Sequence, residues 1–458
     1  MNKVCNKKII IFGHKYDYDY LCANTAQDII QEAYEKTNIS SEPDIEVILD
    51  VLDNISDAWS SNEYHIRKKA KELLTAITSF SPEMIDEGLD KVSEICSSKR
   101  LIEKINNELG SIDFLNEGKI YENKESNELD YRIKAQPKGI ILHINSNNLF
   151  FQIIESWVWG IITKNVNIIK TEEELLPFVL LFLDSIKEFD SSEIIWNNQS
   201  LLFWNNDNKS INDVFYKSDL LIIYQGDINL LNYIKPELGS EVELIDNSYK
   251  YSFSIIEGKC LKPNIPSDLI NGLALDICRW NQKSSFSPHL VYVIDKDLKT
   301  SHQLIESLFD EMVAVGEELP CGVLTFDEKV KIRKIREISR MMQVKGEGRL
   351  VCPEDFSFTL VLDYNSAFKL SCLNRTLYIK RITNLENLIE LLIPYSEKLH
   401  SVGLYVSEEL KYLCEKEFPK LGIKHILKIG KMESRGNDIS LNGIYILRKL
   451  VDFISVDY

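Results

Sequence analysis

Cysteines that could act together are missing from this chain. Nine are scattered over 458 residues, at positions 5, 22, 96, 260, 278, 321, 352, 372 and 414, with no Cys-x-x-Cys pair and an odd total. That spacing argues against a zinc site and offers no disulfide framework, so reduced thiols in a cytoplasmic protein are expected. Excess positive charge is missing too: 53 Lys and Arg face 70 Asp and Glu, a formal net charge of -17. Nucleic acid and anionic membranes need a basic footprint and are disfavoured as partners. There is no long apolar run. Leu149 to Ile162 is the most apolar stretch, carries Gln152 and Glu155, and is too short to span a bilayer. Ile9 to Phe12 is too short for the apolar core of a signal peptide, so none is expected. No internal repeat or low-complexity tract is visible.

What is present reads as an ordinary globular protein, 44% hydrophobic and 27% charged, long enough for two or three domains. A strand at Lys8–Phe12 precedes helical patterns at 24–35, 44–59, 65–80 and 84–102, and Ser81-Pro82-Glu83 reads as a helix start. The polar stretch 116–127 reads as an exposed loop. After Pro137 the pattern changes. Gly139 to Ile144 is a continuous apolar run, typical of a strand buried on both faces. Strands at 166–169, 193–196, 220–224 and 251–256 alternate with helices at 149–163 and 172–189, which argues for a parallel, Rossmann-like sheet. From Leu261 a second α/β region follows, with helices at 267–280, 301–317 and 326–341, strands at 290–293, 358–362, 376–380 and 402–406, and a closing helix at 441–454. The expected divisions are an N-terminal helical layer (1–127), a Rossmann-like cofactor domain (128–260), a catalytic domain (261–430) and a closing helix (431–458).

Four places carry candidate chemistry. Asn145-Ser-Asn-Asn148 is a turn after a buried parallel strand, where open α/β sheets bind ligands; Asn also suits a plain turn. Lys170 ends the next strand and is followed by Thr171 and three glutamates, which equally fit a solvated helix start. Gly226 lies in the turn Tyr224-Gln-Gly-Asp227, a weak signal alone. Asp276 to His289 runs from an apolar helix into a strand through the polar segment Asn281 to Ser287, closed by Pro288, which suits a tight turn that exposes one side chain. Cys278, on the apolar helix, reads as core.

This last stretch resembles the nucleophile loop of the LuxC-type long-chain acyl-CoA reductases, a branch of the aldehyde dehydrogenase superfamily. Asp276, Trp280, Asn281, Gln282 and Ser287 match the family pattern, and Ser285 stands where the family has its cysteine. The resemblance continues in Lys250-Tyr-Ser-Phe253, Asn374-Arg-Thr-Leu-Tyr-Ile-Lys380, Gly430-Lys-Met432, Asn442-Gly443 and Leu447-Arg-Lys-Leu-Val451. It implies an aldehyde-dehydrogenase-like α/β fold and reduction of a fatty acyl thioester to an aldehyde through an acyl-enzyme, with NADPH or NADH as cofactor. It implies Ser285 as nucleophile, Asn148 as oxyanion donor, and Lys170 and Gly226 as cofactor contacts. The implied partners are an acyl-CoA or acyl-carrier substrate, an acyl-protein synthetase-like protein and further copies of the chain. His289 after Ser-Pro reads as a family feature, not a new base. Loss of the family's small residues at 147 and 225, with the acidic run Glu172–Glu174, predicts weak dinucleotide binding. Serine at 285 keeps two other readings open: a homologue that binds acyl chains or partners without reducing them, and an acyltransferase working through an oxygen ester.

Overall fold

The apolar run from Ile140 to Ile144 has no alternating polar face, so it needs cover on both sides of its sheet. The computed structural model describes residues 8–38, 43–121, 131–146, 149–261, 264–433 and 440–457, and every residue of that run is buried. The chain divides into two units. One comprises Met1–Ile77, Asp86–Ser248 and Asn437–Tyr458, the other Thr78–Ile85 and Tyr249–Gly436.

The first unit opens with an antiparallel hairpin, β1 (Lys8–Ile11) and β2 (His14–Asp17). Helices α1 (Ala23–Thr37), α2 (Ile45–Ser60), α3 (His65–Ile77), α4 (Pro82–Cys96) and α5 (Ser98–Leu109) follow, confirming the predicted helical pattern at the N-terminus. Strand β3 (Lys119–Tyr121) interrupts the stretch expected to be an exposed loop, whose residues 122–127 lie outside the described residues. β4 (Tyr131–Pro137) pairs with β3, and β5 (Ile140–Asn145), α6 (Phe151–Ile162), β6 (Val166–Lys170) and α7 (Leu176–Phe189) then alternate as the sequence suggests. The next strand is β7 (Gln199–Leu202), not the predicted 193–196. Glu193 adopts φ +55°, and the Asp190 carboxylate accepts the Trp196 N–H at 2.8 Å, so the predicted strand is tied into a turn. α8 (Lys209–Lys217), β8 (Leu221–Gly226), α9 (Ile228–Ile234) and β9 (Glu243–Ser248) complete the alternation.

The sheet order β2-β1-β7-β6-β5-β8-β9 contains a five-stranded parallel core that grows outward in both directions from β5. The order therefore reverses between β5 and β8, and the carboxyl ends of these two strands form a topological switch point. One face of the sheet packs Ile140, Leu142, Ile168 and Ile222 against Ile29 of α1 and Phe215 of α8. His143 is buried and contacts Ser156 of α6 at 3.2 Å and Asn167 of β6 at 3.0 Å.

The second unit begins with β10 (Tyr251–Glu257), whose apolar pattern fits either sheet. It pairs in parallel with strands of this unit, not with the preceding ones. α10 (Ser267–Cys278), β11 (Pro288–Ile294), α11 (Lys299–Glu318), α12 (Phe326–Lys345), β12 (Gly348–Val351), β13 (Thr359–Asp363), β14 (Thr376–Ile382), α13 (Leu385–Leu392), β15 (Leu399–Tyr405), α14 (Glu408–Glu417) and β16 (His425–Lys428) follow. Their sheet has the order β12-β13-β14-β11-β10-β15-β16 and is parallel except for the β12–β13 pair. The predicted closing helix over 441–454 shrinks to α15 (Ile446–Lys449), after which β17 (Val451–Asp457) pairs antiparallel with β4. Two causes are visible: Asn442 and Gly443 take left-handed φ of +48° and +82°, and the stretch after Leu450 pairs along the whole length of β4. Among the described residues no helix is long and apolar enough to cross a membrane.

Gly160 of α6 lies where a Cβ would overlap Asn167 Oδ1 and stand 3.2 Å from His143 Nε2. Gly160→Ala should therefore force apart the helix and strands that position the switch point. A loss of about 1–3 kcal/mol is expected from overpacking a buried contact. An unchanged urea midpoint in this variant would show that the His143–Asn167 contact is not a packing constraint.

Candidate active site

Helix α10 ends at Cys278, two residues earlier than predicted, and the chain then reverses its hand. Trp280, Asn281 and Gln282 have φ of +53°, +50° and +65°; Leu373, Asn374 and Arg375 have +63°, +52° and +57°. Left-handed backbone costs non-glycine residues roughly 1–2 kcal/mol each, so two such runs persist only where contacts determine them. Here they hold each other. The Asn374 N–H donates to Asn281 O at 2.9 Å, and Arg375 Nε to Asn281 Oδ1 at 3.2 Å. Gln282 Nε2 donates to Pro288 O at 2.7 Å and Thr376 O at 2.9 Å, while Gln282 Oε1 accepts the Thr376 N–H at 3.0 Å. Arg375 Nη2 completes the lock by donating to Leu319 O and Pro320 O. Below the loop, the Asp276 carboxylate accepts the N–H groups of Gly430 at 2.6 Å and Met432 at 3.3 Å. Burial raises Asp276 to about 7 against the pull of those donors. The family-like motifs identified separately in the sequence thus interlock. Only the asparagines, which tolerate left-handed φ, signalled the turns in advance.

The loop so held presents Ser285. From Ser284 to His289 every residue except Ser285 is buried. The turn closes with the Ser287 N–H on Ser284 O at 3.1 Å and the Phe286 N–H on Ser284 Oγ at 3.2 Å. Ser252 of β10 supports it from beneath: its hydroxyl donates to Ser285 O at 2.5 Å and accepts from the Ser401 hydroxyl at 2.6 Å and the Ser401 N–H at 3.3 Å. On the far side, Lys283 pairs with Glu328 at 2.9 Å, reaches Ser79 Oγ at 2.8 Å and lies over the Phe80 ring.

No base contacts Ser285 Oγ among the described residues. His289 is the nearest histidine in sequence, and it is committed elsewhere. Its Nδ1 accepts from the Ser371 N–H at 3.3 Å and lies 3.0 Å from Ser371 Oγ; its Nε2 lies 3.1 Å from the Tyr249 hydroxyl. Acceptance of a backbone N–H assigns the proton to Nε2. Burial lowers His289 to about 4. Cys278 is no substitute nucleophile, since burial pushes its thiol up to about 11.

In the first unit the switch point is filled by the chain itself. Asn145 ends β5 opposite Gln225 of β8, and the Ser146 N–H donates to Gln225 O at 2.8 Å. Gly226 has φ +153°, and a Cβ there would overlap Ser146 Oγ. Its missing side chain makes room for Ser146, whose hydroxyl lies 3.0 Å from Tyr224 OH and accepts the Asp227 N–H at 3.3 Å. The first turn of α9 already holds the Asp227 carboxylate, which accepts the Asn229 N–H. A close-lying pyrophosphate does not fit this arrangement. Asn147 and Asn148 lie outside the described residues.

At the end of β6, Lys170 is only 4% exposed. Its ammonium donates to Asn206 Oδ1 and lies 5.1 Å from the Trp204 ring centroid. Burial lowers it to about 8, with Glu172 opposing that shift. It is therefore not the solvated lysine of the plainer sequence reading. One protein acceptor leaves two ammonium protons unspent, and Thr171 Oγ1 beside it is buried without a partner among the described residues.

The acyl-CoA reductase (LuxC) family model matches residues 40–453. The long-chain acyl-protein thioester reductase of Aliivibrio fischeri is 26% identical over 403 residues, covering 84% of this chain and 76% of the relative. Among solved structures, aldehyde dehydrogenase 21 from Physcomitrella patens superposes with a TM-score of 0.72 at 12% identity, covering 100% of this chain and 96% of that one. The bifunctional proline utilization A protein superposes with a TM-score of 0.71 at 13% identity, and this chain spans 45% of its length. The structural likenesses establish an aldehyde-dehydrogenase fold, as expected from the sequence.

Gln282→Leu would remove all three bonds, leaving the Thr376 N–H only its contact with Leu373 O at 3.1 Å and two carbonyls without their side-chain donor. It should lower stability by about 3 kcal/mol or more, each orphaned buried group costing roughly 1–3 kcal/mol. A denaturant midpoint within error of wild type would remove Gln282 from its place as the pin of the loop. His289 gives a pH signature. Its folded value of about 4 lies below the ordinary histidine value of about 6.5. The unfolded chain therefore takes up a proton that the folded chain refuses. The contribution of neutral His289 is full above pH 6.5 and is lost as the pH falls to 4, by at most about 3 kcal/mol. His289→Gln should flatten this part of the stability–pH curve; curves of equal slope in both proteins would refute the assignment.

Proposed function

The chain belongs to the acyl-CoA reductase (LuxC) family, and on that premise we propose that it reduces a long-chain acyl thioester, borne by CoA or by a protein, to the aldehyde through an ester on Ser285. The observation that carries this reading is the partial exposure of Ser285 in a turn whose residues from Ser284 to His289 are otherwise buried and hydrogen-bonded. The name of the Aliivibrio relative, an acyl-protein thioester reductase, supports a protein-borne acyl group.

Ser285 Oγ attacks the thioester carbonyl. The C–S bond breaks, the thiol leaves with the hydroxyl proton, and an oxygen ester remains. Asn148 is the side-chain donor to the oxyanion that forms on the way. A reduced nicotinamide, NADPH or NADH, would supply the hydride that releases the aldehyde. Lys170 would contact its adenosine ribose, and Gly226 leaves room for the Ser146 turn at the end of β8. Ser285 Oγ leaves the aldehyde as an alkoxide and takes a proton from water.

Two features make this chemistry slow. Serine without a contacting base is a weak nucleophile, and an oxygen ester accepts hydride less readily than a thioester. Each 1.4 kcal/mol or so added to the barrier costs about tenfold in rate. The same absence of a base, together with Ser146 closed over Gly226, favours a second reading in which the chain binds acyl groups or partners without reducing them.

The test is aldehyde formation from tetradecanoyl-CoA with each nicotinamide. Ser285→Ala should abolish it, and Ser285→Cys should raise it at least about tenfold, because a thiol ionises near neutral pH and forms a thioester. Turnover persisting in Ser285→Ala would overturn the assignment of the nucleophile. No turnover in Ser285→Cys, with NADPH binding undetected by calorimetry, would transfer the chain to the binding reading.

A further inference from the structure

Helix α12 contradicts the charge of the molecule that carries it. Over Phe326–Lys345 it has seven basic and three acidic side chains, a local excess of four positive charges in a chain of net charge -17. One face is buried through Ile332, Arg336 and Ser339. Arg336 is fixed there by donating to Thr359 Oγ1 at 2.9 Å and Phe358 O at 2.8 Å. The opposite face is open to solvent and apolar towards its two ends, with Glu337 between them: Phe326 is 80% exposed and Val330 48% towards one end, Met341 68% and Val344 89% towards the other. At 100° per residue these four positions fall within an arc of about 60°, centred opposite the buried face. Lys331, Lys334 and Lys345 flank the stripe on one side and Lys329, Arg333 and Arg340 on the other; all are exposed. Among the described residues only Arg340 of these six forms a salt bridge, to Glu337. A solvated helix needs no apolar stripe on its outer face, and a folded protein seldom exposes one without a use.

The helix also touches the nucleophile loop. Thr325 and Glu328 form its capping box, and the Glu328 carboxylate pairs with Lys283, two residues before Ser285. The exposed Val323 and Phe326 therefore begin the stripe beside the catalytic turn of the same unit.

We propose that the outer face of α12 docks an acidic carrier protein, which presents its thioester-linked acyl chain to Ser285. The proposal rests on the reading of the chain as an acyl-thioester enzyme and adds the surface by which the substrate's protein part is chosen. Charge decides the occupant. An isologous second copy would set two basic helices against each other, whereas an acidic helical partner with a few apolar side chains matches both the stripe and its flanks. Such a contact strengthens at low salt and distinguishes carrier-borne acyl groups from the same groups on CoA.

The test uses the full chain with fluorescently labelled tetradecanoyl acyl carrier protein, read by anisotropy at low and high salt. Wild type should bind, more weakly as salt rises. The triple variant Lys329→Glu/Arg333→Glu/Lys334→Glu and the single variant Phe326→Ser should each raise the dissociation constant at least about tenfold. Both should keep the wild-type thermal midpoint and the wild-type response to tetradecanoyl-CoA. Carrier binding unchanged in both variants, or absent from wild type, overturns the proposal. So does loss of self-association in the variants, or binding of wild type to phosphatidylglycerol vesicles in preference to the carrier. Wild type that binds the carrier but makes no aldehyde sinks the reductase reading and leaves the docking surface standing. Aldehyde formed from tetradecanoyl-CoA without carrier binding does the reverse.

Discussion

The Gln282 amide holds together the part of the second unit on which everything chemical depends. One side chain offers two donors and an acceptor, and all three are used, on Pro288 O, Thr376 O and the Thr376 N–H. Glutamate would lose the donors and leucine all three bonds. These contacts stabilise two facing runs of left-handed backbone that would otherwise relax. Charge-assisted bonds from Arg375 to Asn281 Oδ1, Leu319 O and Pro320 O add to the hold. The result is a sharp exit from α10 that delivers Ser285 outward while its neighbours stay buried. The turn that follows is closed by its own bonds to Ser284 and held from beneath by Ser252 on the Ser285 carbonyl, so the lock fixes where it starts and these bonds fix its shape.

The parallel sheets were legible because their strands are apolar throughout and alternate with amphipathic helices. Ile140–Asn145, Val166–Lys170 and Leu221–Gly226 are read from composition and punctuation alone. The misreadings share a cause: a distant group outweighed a local pattern. The run at 193–196 has strand-like residues, yet the Asp190 carboxylate draws it into a turn. The pattern at 441–454 suits a helix, yet β4 offers an unpaired edge and Val451–Asp457 takes it. Tyr251–Glu257 was visible as a strand, but no local feature says which sheet it joins. The candidate site divides in the same way. Its turn was legible from small polar residues. The dependence of Asn281 on Arg375, 94 positions apart, was not.

The switch point of the first unit shows how a cofactor fold can keep its topology while its surface changes. Strand order directs a ligand to the ends of β5 and β8, whatever side chains stand there. In this chain Ser146 occupies the space that Gly226 leaves, and Asp227 supplies its own anion to the first turn of α9. Lys170, one strand away, has Asn206 as its side-chain acceptor, and Thr171 Oγ1 has no partner among the described residues. The ends of β5 and β8 are therefore crowded, while the end of β6 holds a buried cation.

The residues that carry the family likeness are largely those that build the loop rather than those that react. Asp276 binds the backbone of Gly430 and Met432; Asn281 and Gln282 bind Asn374, Arg375 and Thr376; Lys380 is buried against Asp363 at 2.7 Å. Each of these contacts needs its residue types for reasons of geometry and hydrogen-bond count, whatever reaction takes place above them. Among the described residues Ser285 makes no hydrogen bond through its side chain. A scaffold of this kind preserves the position of a nucleophile more strictly than the nucleophile itself. Membership of the family therefore rests on residues that build the loop, whatever side chain stands at 285.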